Sequence, residues 1–169
     1  MPEPSEHMEN RPWVESILRK IPGFRGYLEK EYRRDSDALQ RKWLADRLGR
    51  SKRGLDDFSR ALADAASIDA LPLCDRLRGR LDKLIGRIAG AMQGYSGMFD
   101  LVRIDEGVLD KVYAHDVSLI EQVETLSTAV EALADKVEGA AELIPPLLRQ
   151  VDELERAWDD REDILRGLE

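Results

Sequence analysis

The stretch LDKVYAHDVSLIEQVETLSTAVEALADKV, residues 109–137, decides the fold. Leu109, Val112, Asp116, Leu119, Val123, Leu126, Val130, Leu133 and Val137 recur in an unbroken alternation of three and four residues. That spacing puts one apolar seam along an α-helix and no stripe along a strand. Ile104 and Asp105 ahead of it supply a hydrophobic staple and a cap, so a helix is expected over Glu106–Glu138. The one polar member of the seam, Asp116, sits at a core position. It is read as a register-fixing polar group whose partner is an arginine on a facing helix.

The same period extends on both sides. Cys74, Leu77, Leu81, Leu84 and Ile88 predict a helix over Ala70–Met92, with Gly94 closing it. Leu28, Tyr32, Leu39, Trp43 or Leu44, Leu48, Leu55, Phe58, Leu62 and Ala65 predict a long helix over Tyr27–Ser67. Gly49, Ser51 and Gly54 mark its weak point, where a kink or break is expected. Leu147, Val151, Leu154, Trp158 and Leu165 line a last helix, set to start at Pro145. At the front, Asn10 caps and Pro12 opens a short amphipathic helix that carries Trp13, Val14, Ile17, Leu18 and Ile21 and stops at Pro22-Gly23.

Short links make consecutive helices antiparallel neighbours. The expected fold is therefore all-α: an elongated antiparallel four-helix, coiled-coil-like bundle with a short N-terminal amphipathic helix. Residues 1–10 read as a disordered tail and residues 11–169 as one helical-bundle domain. The second and fourth helices are expected to be longer than the third and fifth.

Composition agrees. Of 169 residues, 36% are charged and only 6% aromatic, a long-helix composition. The single cysteine, Cys74, allows no disulfide within the chain and fits a small buried hydrophobe in a reducing compartment. No apolar run approaches the ~20 residues of a membrane span, and MPEPSEHMEN is not a secretory signal. A cytoplasmic protein is expected, with peripheral placement at the inner membrane face as an extension of that reading.

The net charge of −8 is unevenly spread: residues 11–53 carry a net +7 and residues 54–169 a net −12. The basic front is expected to pair with the acidic last helix, or to meet a charged partner. Acids interleaved through 33–54 argue against nucleic acid.

Catalytic and metal signatures are missing from the sequence. A di-iron bundle needs Glu-x-x-His on two helices, but the histidines are His7 and His115, and Val112 stands three residues before the latter. No nucleophile elbow, P-loop or dinucleotide turn occurs. No enzyme, cofactor, metal or small-molecule substrate is expected.

The segments IPGFRGYLEKEYRRDSDALQRKWLADRL, residues 21–48, and GYSGMFDLVRIDEGVLDKVYAHD, residues 94–116, resemble an uncharacterised bacterial all-helical family. Its members pair an IPG-aromatic-x-Gly-Tyr segment with a later Gly-Tyr-x-Gly-x-Phe-Asp turn. The resemblance implies an all-helical fold and carries over no site residue. A looser, architectural likeness is to phage-shock-A-type proteins, with a front amphipathic helix followed by long charged helices.

The expectation for function is a non-enzymatic interaction or scaffold protein that binds protein partners or itself. The alternative is a peripheral membrane-surface protein of the envelope-stress or remodelling type, using its basic front helix on an anionic membrane. Candidate contact residues are Trp13, Ile17, Leu18 and Ile21 in the front helix, Arg33, Arg34, Arg41 and Lys42 in a basic stripe, and Tyr95, Met98 and Phe99 in the 94–103 turn.

Overall fold

The computed structural model describes residues 12–27, 30–94 and 106–166. The 1–10 tail and the turn residues Tyr95, Met98 and Phe99 lie outside the described residues. The described chain is all-α. A short front helix α1 (Pro12–Lys20) precedes four long helices: α2 (Lys30–Asp64), α3 (Leu71–Gly94), α4 (Glu106–Ala132) and α5 (Ala140–Arg166). Each long helix buries one stripe and the stripes meet in a single core. The seam residues Leu77, Leu81 and Leu84 of α3, Val123, Leu126 and Val130 of α4, and Val151 and Trp158 of α5 are all fully buried. No described helix is long and apolar enough to cross a membrane.

The helices alternate in direction along the chain and form two antiparallel hairpins, α2–α3 and α4–α5. In the first hairpin Arg78 of α3 meets Asp56 of α2 at 2.7 Å, and Lys52 of α2 meets Asp82 of α3. The hairpins then pack side by side with α2 along α4 and α3 along α5. The contacts show that these lateral neighbours run in the same direction. Arg47 of α2 reaches Glu124 of α4 at 3.2 Å, and Gly54, seven residues on, lies against Glu131. Arg80 and Arg87 of α3 reach Asp152, Glu155 and Asp159 of α5. Consecutive α3 and α4 thus occupy a diagonal and are not adjacent, a departure from the short-link expectation. At ~3.3 Å per residue, the link over 95–105 is long enough for a diagonal arrangement.

Three further differences have local causes. First, α2 runs unbroken through GRSKRG. Gly54 lies against α4: a Cβ there would stand 2.9 Å from the Glu131 Cα and 3.2 Å from the Val130 carbonyl oxygen. The glycine is a close-approach point between two backbones, not a break. Second, α5 starts at Ala140, so Pro145 and Pro146 lie inside it. Their missing N–H groups leave the carbonyls of Ala141 and Glu142 without helix partners, and both residues are exposed to water that can take over. Starting earlier makes α5 as long as α4, at 27 residues each. Third, α4 ends at Ala132 and tightens into a 3₁₀ turn over Leu133–Asp135.

Helix α2 ends in a doubly bonded cap. The Ser67 N–H donates to the Leu62 carbonyl at 2.9 Å and the Ala66 N–H to Ala63 at 3.1 Å. This cap needs a left-handed residue, and Ala66 supplies it at φ +56°. A left-handed L-residue costs about 1–2 kcal/mol.

These features give opposed predictions for small substitutions, all readable as shifts of the thermal midpoint. Gly54→Ala gains about 1 kcal/mol of helix propensity. It meets backbone that cannot yield, an overpacking cost of about 1–3 kcal/mol, so the midpoint is expected to fall. Gly49→Ala, with no atom within 4 Å of the added Cβ, is expected to raise it, through a gain in stability of up to about 1 kcal/mol. Ala66→Gly is expected to raise it too, through a gain of about 1 kcal/mol.

Candidate functional site

The buried charged residues Arg41, Asp116 and Arg161 gather in one cluster toward the end where α2 begins and α5 ends. The segment IPGFRGY builds its first wall. Gly23 and Gly26 both take φ +84°, which an L-side chain rarely adopts. The two reversals let Ile21, Phe24 and Tyr27 all turn inward. Phe24 meets Tyr27 edge-on at 5.3 Å between ring centroids, and Tyr27 packs on Tyr113 at 5.0 Å.

Tyr27 is then held at each of its polar atoms. Its backbone N–H donates to the Tyr113 hydroxyl at 2.6 Å, and its carbonyl accepts from Arg33 Nε at 2.5 Å. Its hydroxyl donates to Asp116 Oδ2. Asp116 Oδ1 accepts from Arg161 Nε at 2.6 Å, and Arg161 Nη2 donates to Asp37 Oδ1 at 2.7 Å. Asp37 Oδ2 takes Arg41 Nε at 2.7 Å. The guanidinium carbons of Arg41 and Arg161 lie 4.7 and 5.4 Å from the ring centroid of the buried Trp158. One network therefore joins the elbow after α1 to α2, α4 and α5.

Two carboxylates and two guanidiniums balance in charge, and their environments separate the two acids. Burial pushes the Asp116 carboxyl above its ordinary value, against the pull of Arg161. Burial acts the same way on Asp37, but Arg161 and Arg41 together outweigh it and hold that carboxyl below its ordinary value. Burial, with Asp116 next, raises the Tyr27 phenol well above its usual value, so it remains a hydrogen-bond donor. Burial works against the Arg161 charge, but Asp116 and Asp37 override it and keep the guanidinium protonated.

Arg161 and Asp116 are wholly shielded from solvent. The arrangement is chemically a clamp: each charge is spent on a neighbour. Beside it, Gln40 is fully buried and neither atom of its amide has a hydrogen-bond partner in the described structure. Such a group costs about 1–3 kcal/mol, which the cluster and core must offset. Among the described residues, no three His, Cys, Asp or Glu side chains converge as metal ligands.

The expected contact residues that are described differ in exposure. Ile17 and Ile21 are core residues, since the apolar face of α1 is covered by α4. Arg41 is buried against Asp37 and Trp158, so it belongs to the clamp and not to an external basic stripe. Arg33 is half-buried on Tyr27. Leu18 is 40% exposed, Arg34 is exposed, and Lys42 is exposed and paired with Asp46 of its own helix at 2.5 Å. The Trp13 side chain lies outside the described side chains. The basic front also pairs elsewhere than expected. Arg47 and Lys20 go to α4 and Lys52 to α3, while the acids of α5 take Arg80 and Arg87. Cys74 is buried with its Sγ 3.1 Å from Ser59 Oγ, as expected of a packing residue.

Asp116 and its arginine partner follow the seam reading. Arg161, Asp37 and the role of Tyr27 do not appear in it. The available signal was a missing rung: Trp158 to Leu165 is a seven-residue step, and Arg161 stands on the skipped position. Ser36 and Ser51 fill the same kind of gap in α2, between Tyr32 and Leu39 and between Leu48 and Leu55.

Compared with known protein families, curated proteins and solved structures, the chain matches none. What stands is an all-helical protein.

The clamp has a definite energetic signature. Arg161→Met leaves Asp116 and Asp37 buried without their shared partner and is expected to cost about 3–5 kcal/mol in chemical denaturation. Tyr27→Phe removes one donor from a buried carboxylate and is expected to cost about 1–3 kcal/mol. The depressed carboxyl of Asp37 contributes stability above the ordinary aspartate range, and that contribution is lost as pH falls through the folded value. The stability gap between the native chain and Asp37→Asn should therefore be constant above about pH 5 and shrink as pH falls below about 4. A gap that stays constant would show that Asp37 is not ionised in the fold.

Proposed function

We propose that this chain is a non-enzymatic interaction protein of the cytoplasm, a helical bundle that binds protein partners or a second copy of itself. The observation that carries the reading is the burial of the polar cluster. Among the described residues, Tyr27 and Arg161 are raised well above their ordinary values and their partner Asp116 is raised as well; perturbed groups mark functional sites where a substrate can reach them. Here they are consumed in holding four elements together. The surface left for function is helical and charged, with isolated apolar side chains such as Leu18 and Ile68, the latter 64% exposed at the α2–α3 turn. Such a surface suits helix-to-helix recognition.

The alternative, a peripheral membrane protein with phage-shock-A-type architecture, asks α1 to give its apolar face to lipid. Ile17 and Ile21 already spend that face on α4, so the protein-partner reading has the better support.

Sedimentation of the full chain across the micromolar range tests the reading. Concentration-dependent association is expected, and Leu18→Asp or Ile68→Asp is expected to weaken it without lowering the thermal midpoint. A chain that stays monomeric and binds a metal stoichiometrically, or shows turnover lost on Asp116→Asn, would overturn it.

A further inference from the structure

The end of the bundle where α2 and α4 finish lies away from the buried clamp and carries its own chemistry. The 3₁₀ turn over Leu133–Asp135, which follows α4, packs on α2, and the 3₁₀ turn over Ile68–Ala70, which follows α2, touches α5. Both links therefore share this end. The α4–α5 link encloses a cleft of about 660 Å³. Ala134, Val137 and Leu143 line it and are half-buried, while Asp135, Glu138 and Glu142 line it and are exposed. The cleft is thus apolar in its depth and charged at its rim. Gly139 leaves it open, since no atom lies within 4 Å of the place a Cβ would take there. On the adjoining turn Ile68 is one of the exposed large apolar side chains.

The charge around this end is one-sided. Residues 64–72 and 132–143 contain five acids, Asp64, Asp69, Asp135, Glu138 and Glu142, and a single base, Lys136. All six are exposed. Along the flanks, by contrast, Glu124, Glu131, Asp152, Glu155 and Asp159 are each bonded to an arginine. Among the described residues, none of the five end acids forms an ion pair. Asp69 and Glu142 suit the starts of α3 and α5, where the helix dipole favours an anion. Asp64 and Asp135 do not: they stand at the end of α2 and just past the end of α4, where the dipole favours a cation. Neither helix has a basic residue in its last turn.

We propose that this end is a docking face for a basic amphipathic helix of a partner protein. Its aliphatic side chains enter the cleft beside Ile68, and its lysines or arginines meet the acids of the two links. The proposal rests on the interaction-protein reading and names the partner's chemistry. Charge decides the occupant. The same end of a second copy would set acids against acids, and an anionic membrane or a nucleic acid would be repelled in the same way. A cationic helix relieves the crowding of like charges and covers the apolar lining in one contact. Rim charges of this kind act mainly on the rate of encounter and on its salt dependence.

The test titrates a fluorescent peptide that alternates leucine pairs with lysine pairs into the full-length chain and reads anisotropy. Binding is expected at low salt and should weaken as salt is raised. It should be lost when glutamate replaces the peptide's lysines or serine replaces its leucines. Glu138→Lys with Glu142→Lys is expected to weaken it at least about tenfold, and Ile68→Ser to weaken it as well. Asp160→Lys with Asp163→Lys makes the same change of net charge at the other end of the bundle and should leave most of the affinity. The substituted side chains are all exposed, so each variant is expected to keep its cooperative melt. Equal weakening by the two charge-reversed pairs overturns the proposal, because the peptide would then sense only the net charge of −8. So does a native chain that leaves the peptide unbound at low salt. A chain that associates in sedimentation and still ignores the peptide overturns the proposal alone and leaves the interaction-protein reading standing.

Discussion

The bundle depends on one buried ion pair, Asp116 of α4 with Arg161 of α5 at 2.6 Å, both inaccessible to solvent. Withdrawing two charges from water costs several kcal/mol per ion unless further hydrogen bonds complete their surroundings. That requirement organises the neighbourhood. Asp116 needs a second donor and receives the Tyr27 hydroxyl. Arg161 needs a second acceptor and receives Asp37, which in turn takes Arg41. Residues 27, 37, 116 and 161 are thereby fixed relative to one another. An apolar heptad seam can slide by one repeat and meet leucines again, whereas this cluster matches in one register only. Buried pairs often supply no more net stability than well-packed apolar side chains would; this one aligns four elements.

The opposite end is aligned by a different constraint. Gly54 brings the backbone of α2 onto that of α4 at Glu131, a contact that closes only if the two helices keep their lateral register. Between the ends, Arg47 bridges to Glu124 and Glu131, and Arg80 and Arg87 bridge α3 to α5. Each exposed or half-exposed pair is worth little on its own. Together they tie α2 to α4 and α3 to α5, with the arginines on one hairpin and the acids on the other.

The helices were legible in the sequence because their signal is local: a three-four alternation needs no knowledge of neighbours. Asp116 was legible for the same reason, as an interruption of an otherwise apolar ladder. Arg161 was not, because α5 reads as apolar with or without that rung, and an arginine beside a tryptophan looks like an ordinary surface residue until the facing helix is known. Asp37 and Arg41 stand in a run of alternating charges, and nothing local separates the inward pair from the outward Asp35 and Lys42. Gly54 was misread because glycine has the same cost in a broken helix and in a close crossing. The lateral pairing of α2 with α4 was hidden for a deeper reason: it is a property of the diagonal topology, and both a neighbouring and a diagonal α4 fit the same periodicity.

The position of Tyr27 joins the buried charges to the front of the chain. Its backbone N–H is held by Tyr113 and its hydroxyl by Asp116, while its ring meets Phe24 edge-on. Ile17, Ile21 and Phe24, which precede it, are buried in the same core. The elbow therefore contributes a hydroxyl to the electrostatic cluster and a ring to the apolar packing. A buried polar group is tolerated only when its partners are in place, so the two parts of the interior must form in the same register, and the alignment of α2, α4 and α5 depends on a segment that lies outside the four long helices.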